Sequence, residues 1–136
     1  MFGGQITGFK GKYPGLLEEA LLALHSGQPL YLIGGFGGCT RLIIEALKGG
    51  TPDAFKEAFQ VKDPVYKAIV ERYSVDAAEK KTTAIDYAGE LQFLKSKGLA
   101  GLNNGLSADE NEFLFTSENL PGIVFLLLKG LTQRLT

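Results

Sequence analysis

Residues 29–41 read Pro29-Leu30-Tyr31-Leu32-Ile33-Gly34-Gly35-Phe36-Gly37-Gly38-Cys39-Thr40-Arg41. The apolar run 29–33 lies between Gly27 and Gly34, the pattern of a fully buried parallel strand. Gly34 to Gly38 then form a loop. Leu42, Ile43, Ala46 and Leu47 fall on one face of a helix over 40–47, which Gly49-Gly50 stops. Upstream, residues 1–8 read as a short strand entering a glycine loop. Pro14 opens a helix that carries Leu16-Leu17-Glu18-Glu19-Ala20-Leu21-Leu22-Ala23-Leu24 and ends near Gly27. Strand, loop, helix, strand, loop, helix over residues 1–48 predicts an α/β fold, a parallel sheet with flanking helices and right-handed crossovers. Met1-Phe2 is thin for a buried strand, so the first strand is expected at a sheet edge or in a unit truncated at its N-terminus.

Beyond residue 51 the pattern becomes helical. Segments 52–59, 64–73 and 84–97 have amphipathic spacing, and Asp63-Pro64 and Ser107-Ala108-Asp109-Glu110 are helix-start signals, the second a capping box. Residues 99–106 hold turn chemistry in Gly101-Leu102-Asn103-Asn104-Gly105. A last helix over 118–131, with Ile123, Val124, Leu126, Leu127 and Leu131, is expected to pack in the core. With 136 residues, the chain is read as one domain over 1–136.

Composition narrows the function classes. Fourteen basic against fifteen acidic side chains leave a net charge of -1, which gives no footprint for nucleic acid or an anionic membrane. One Cys and one His exclude a disulfide framework and Cys- or His-rich metal sites, so no metal and no cofactor are expected. No apolar run reaches ~18 residues, and Met1-Phe2-Gly3-Gly4 has neither part of a signal peptide; a cytoplasmic protein is the expectation.

Glycine stands out at 18 of 136 residues, roughly twice the usual ~7%. Clustered glycine marks unusual backbone or backbone approached closely by another group, so the chemistry is sought there. In Pro14-Gly15-Leu16-Leu17-Glu18-Glu19 two carboxylates sit in the first turns of a helix after a glycine loop. Backbone N–H groups at such a start bind anions, and a carboxylate beside them accepts ribose hydroxyls. The plain alternative is that Glu18 and Glu19 complement the helix dipole. In Gly34-Gly35-Phe36-Gly37-Gly38-Cys39-Thr40-Arg41 the loop N–H groups, the Thr40 hydroxyl and the Arg41 guanidinium could cradle a phosphate, or the glycines could serve a tight turn. The spacing is neither a dinucleotide fingerprint nor a P-loop. Lys10-Gly11-Lys12-Tyr13 offers cations and a ring to a nucleotide, or a solvated loop. His25 reads as a helix-end residue. Cys39 stands where a helix start can lower a thiol pKa, and reads as a small loop residue.

These residues carry a resemblance. Gly3-Gly4, Gly8, Gly11-Lys12-x-Pro14-Gly15-x-x-Glu18-Glu19-Ala20-Leu21, Gly27-Gln28-Pro29 and Gly34-Gly35-Phe36-Gly37-Gly38-x-Thr40-Arg41 resemble the SLOG superfamily of Rossmann-like domains, named for the Smf/DprA and LOG proteins. They look most like the prokaryotic branch associated with TIR and Sir2 effector domains, and the chain resembles the C-terminal part of such a domain. The resemblance implies a sensor module for a NAD-derived or other nucleotide, working as a homo-oligomer or with a fused or adjacent effector. Its implied ligand-binding residues are Gly3, Gly4, Lys12, Gly15, Glu19, Gly34, Gly35, Gly37, Gly38, Thr40 and Arg41. A second implication is a nucleoside 5'-monophosphate N-glycosidase, with Glu19, or Glu18, as the catalytic carboxylate. Leu16 stands where those enzymes carry Thr, a departure that disfavours hydrolysis. A third is a structural or oligomerisation module of a larger effector.

Overall fold

A computed structural model describes residues 1–135. These residues form helices α1 (Gly15–His25), α2 (Gly38–Leu47), α3 (Glu57–Gln60), α4 (Pro64–Ala78), α5 (Tyr87–Lys97), α6 (Ala108–Thr116) and α7 (Leu120–Leu135). Two 3₁₀ turns lie at Asp53–Phe55 and Leu99–Leu102. The structure is 61% helical, with no strand or sheet among the described residues, which overturns the expected α/β fold and its Rossmann-like parallel sheet.

The two segments read as strands meet only in an isolated parallel bridge between Phe2 and Ile33. The Ile33 N–H donates to the Met1 carbonyl at 2.8 Å, and the Met1 amine donates to the Tyr31 carbonyl at 3.0 Å. The first segment leaves the extended path at once, because Gly3 and Gly4 take φ of 62° and 98°. The second is as buried as a central strand, with Leu30, Leu32 and Ile33 all inside. Its polar backbone is satisfied elsewhere: the Leu30 N–H donates to the Leu102 carbonyl at 2.9 Å and the Gly34 N–H to the Leu114 carbonyl at 3.0 Å. The Leu30 carbonyl accepts from Asn104 Nδ2 at 3.0 Å. A buried apolar run needs partners for its backbone, and loops and a helix end supply them here.

The glycine-bounded helices form where the periodicity puts them. Pro14 is the N-cap of α1, and Ser26 ends it before Gly27 turns at φ 68°. Helix α2 begins at Gly38, two residues before the predicted start. Leu17, Ala20 and Leu24 of α1, Ile43 and Leu47 of α2, and Leu91 and Leu94 of α5 close the main core with Leu32 and Phe55. Each of the Leu, Ile and Phe side chains contributes about 1.5–3 kcal/mol on burial. The predicted helix 52–59 breaks at Lys56, which is extended (φ -115°, ψ 137°).

Both helix-start signals work as read. The Asp63 carboxylate accepts from the Val65 N–H at 2.9 Å to begin α4, and Ser107 and Glu110 form the capping box of α6. Helix α7 departs from expectation. Ile123 and Leu126 join Ile33 and Leu114 in a small second core, but Val124 and Leu131 are exposed.

Candidate ligand-binding site

The start of α2 is filled by the chain itself. The Cys39 N–H donates to the Gly4 carbonyl at 3.1 Å and the Thr40 N–H to the Gly3 carbonyl at 2.9 Å. The Thr40 hydroxyl, fully buried, donates to the same Gly3 carbonyl at 3.1 Å. This approach requires glycine at 38: a Cβ there would lie 2.6 Å from the Gly3 carbonyl carbon and 2.8 Å from the Gly4 oxygen, and φ is 67°. Gly34 and Gly35 serve another close approach. A Cβ on them would meet the Phe115 oxygen at 2.4 Å and the Ser117 oxygen at 2.2 Å, where the end of α6 crosses the loop. Arg41 folds back over this loop, donating from Nε to the Gly34 carbonyl and from Nη2 to the Gly35 carbonyl, both at 3.3 Å. Gly37 completes the turn by donating its N–H to the Gly34 carbonyl at 3.0 Å.

The start of α1 is different. No side chain caps it, and among the described residues no protein group accepts from the N–H groups of Gly15 and Leu16. The space around Gly15 is open, with nothing within 4 Å of where its Cβ would stand. The next N–H, that of Leu17, faces the buried Cys39 thiol. Gly4 passes beneath this turn, packed so closely that a Cβ on it would meet Leu16 Cδ1 at 2.5 Å. The Gly3-Gly4 segment therefore runs between the two helix starts, blocking one and leaving the other to solvent. Unpaired N–H groups at the positive end of an eleven-residue helix attract an anion.

The other sequence-derived residues divide between two sides of α1. Glu18 turns toward the loop before the helix, and its Oε1 accepts from the Tyr13 N–H at 3.0 Å. Glu19 is exposed, and its charge reaches the Met1 amine, whose pKa burial pushes down. Lys12 donates to Thr83 Oγ1 at 2.9 Å, with its Nζ 5.2 Å from the centre of the Tyr73 ring. Lys12 and Glu18 share a cleft of about 400 Å³ along α1 with Tyr73, His25 and Glu90. His25 stacks on Phe93 at 3.9 Å. Nothing near residues 73 and 90 in the sequence signals that Tyr73 and Glu90 line the same cleft as Lys12.

Tyr13 is not available to a ligand. It is buried, and its hydroxyl accepts from the Asp86 N–H at 2.8 Å. It belongs to an aromatic cluster with Phe9, Tyr66 and Tyr87 that fixes the loop before α1. Tyr66 donates to the Lys12 carbonyl, and its oxygen lies 2.8 Å from the Tyr87 hydroxyl. Burial pushes the Tyr66 hydroxyl up to about 12. It raises Tyr87 further, with the Tyr66 hydrogen bond adding to the effect.

Burial also pushes the Cys39 thiol up to about 11, against the lowering that a helix start can give. All three groups are neutral acids whose folded pKa exceeds the unfolded one. Their contribution is complete below the unfolded pKa and is lost as pH rises through the folded value. Thermal stability is expected to begin falling at about pH 9 through Cys39 and to fall steeply beyond about pH 10 through the tyrosines. Melting temperature against pH checks this, and Tyr87→Phe should make the alkaline fall shallower. A wild-type profile flat to about pH 12 would contradict it.

Together these features describe a small helical module with two glycine-lined helix starts, one closed by its own backbone and one open. The chain belongs to the SLOG family: the family model SLOG cluster2 matches residues 1–114. Membership is consistent with a nucleotide-related module. The match takes in both helix starts and ends within α6, so α7 lies outside it. No curated protein and no solved structure matches the chain. No helix among the described residues is long and apolar enough to cross a membrane.

Proposed function

We propose that the chain is a binding module that senses a NAD-derived or related nucleotide, and that it holds an anionic group of that ligand at the start of α1. The observation that carries this reading is the contrast between the two helix starts. The N–H groups of Gly15 and Leu16 have no acceptor, whereas those of Cys39 and Thr40 are taken by Gly4 and Gly3. In this reading Gly15 and Leu16 donate to a phosphate. Lys12 adds positive charge from the loop before the helix, and Glu19 accepts from ribose hydroxyls. Gly34, Gly35, Gly37, Gly38, Thr40 and Arg41 hold the Gly3-Gly4 segment and the loop behind it, and so shape the wall of the site. The ligand would bias the association of the module with an effector domain of the TIR or Sir2 kind.

A thermal-shift screen against AMP, NAD, ADP-ribose and cyclic ADP-ribose isomers, with each incubation assayed for free base, tests the reading. A saturable rise in melting temperature without base release is the expected result. A chain that responds to none of these ligands overturns the reading. Base release that disappears in Glu19→Gln would replace binding with hydrolysis.

A further inference from the structure

Helix α7 buries one side and leaves the other unpartnered. Ile123, Leu126 and Gly130 are buried, while Leu120, Val124, Phe125, Leu128, Leu131 and Leu135 are exposed, Leu128 by 60% and Phe125 by 65%. Val124, Leu128, Leu131 and Leu135 follow one another at spacings of four, three and four, the alternation of a coiled-coil seam. At roughly 100 Å² of open surface each, these six side chains offer most of the ~800 Å² that a standard interface takes from one partner.

The pattern is complementary to itself. If a second α7 is laid antiparallel across a two-fold axis near its middle, Leu120 meets Leu135, Val124 meets Leu131, and Leu128 lies at the axis. Phe125 then falls beside the groove of about 600 Å³ that Phe125, Leu128, Lys129, Thr132 and Gln133 of the other copy line. Opposed helix dipoles favour the antiparallel over the parallel pairing.

We propose that this face of α7 is the seam of an antiparallel, two-fold dimer of the chain. The seam is separate from the ligand site at α1 and stands whether or not that site binds a nucleotide.

Sedimentation of the full chain at micromolar concentration should give twice the mass of one chain. Leu128→Glu should raise the dissociation constant at least about 100-fold, since a carboxylate at a two-fold seam is buried in both copies. Residue 128 is exposed in the monomer, so the variant should keep the helical circular dichroism of the wild type. Orientation is read by oxidation of cysteine variants. Leu128→Cys alone should cross-link, and Val124→Cys should cross-link when mixed with Leu131→Cys but not by itself. The buried Cys39 serves as the internal negative control. A wild-type chain that stays monomeric at 100 micromolar, whether or not it captures another protein, overturns the proposal. So does a dimer that Leu128→Glu leaves intact, or one that Val124→Cys cross-links alone.

Discussion

Gly38→Ala is expected to cost the fold about 3 kcal/mol, a large share of the ~5–15 kcal/mol that holds a domain together. Two penalties act at one residue. A φ of 67° places an L side chain in the left-handed region, at about 1–2 kcal/mol. The new methyl would also stand 2.6–2.8 Å from backbone atoms of Gly3 and Gly4, which cannot rotate away. Overpacking of this kind adds about 1–3 kcal/mol, and it would also break the bonds that close the start of α2. Two companions separate the penalties. Gly49 has φ 95° with nothing within 4 Å, so Gly49→Ala should cost only the conformational part. Gly35 has no positive φ but faces the Ser117 oxygen at 2.2 Å, so Gly35→Ala should cost the collision alone. Urea denaturation of the three variants measures these losses. A Gly38→Ala loss no greater than that of Gly49→Ala would contradict the close approach of the Gly3-Gly4 segment.

Gly15→Asp is expected to abolish most ligand binding while leaving the protein as stable as before or more so. Position 15 is open and its φ is ordinary, so the side chain fits without strain. A carboxylate in the first turn of α1 gains about 0.3–1 kcal/mol from the helix dipole. Removing glycine from the helix adds to this. The same carboxylate repels an anion from the Gly15 and Leu16 N–H groups, so affinity should fall at least about tenfold, or ~1.4 kcal/mol. Gly15→Ala is the control: it keeps the N–H group and adds no charge, so it should bind as the wild type does. Calorimetric titration together with melting curves gives both quantities. An aspartate variant that is more stable and binds undiminished would remove the α1 start from the site.

The helices were legible because their signals are local. Pro14, Asp63-Pro64 and the Ser107–Glu110 capping box mark starts, and Gly27 and Gly49 mark stops, with no need of tertiary context. The absence of a sheet is not legible in the sequence, because burial and extension say nothing about the partner. Residues 29–33 are apolar, buried and glycine-bounded, yet beyond the single bridge to residues 1–2 their backbone pairs with Leu102 and Asn104, far along the chain. The exposure of the outer face of α7 is hidden in the sequence for a related reason. A helix apolar on most sides gives no sign of which side the chain covers. In the candidate site, the glycine cluster at 34–38 is a place of close backbone approach, whereas Gly15 at the start of α1 stands in open space. What approaches α2 is the chain's own Gly3-Gly4 segment, a contact 35 residues and more away in sequence that no motif encodes.

The most direct test follows the backbone amides themselves. In an ¹⁵N-labelled sample titrated with ADP-ribose, the amide resonances of Gly15 and Leu16 should move most and shift downfield, as expected of N–H groups that gain a charged acceptor. Those of Cys39 and Thr40, already bonded to Gly4 and Gly3, should move little. Saturable shifts centred on residues 37–40, with Gly15 and Leu16 unmoved, would contradict the assignment of the anion to α1.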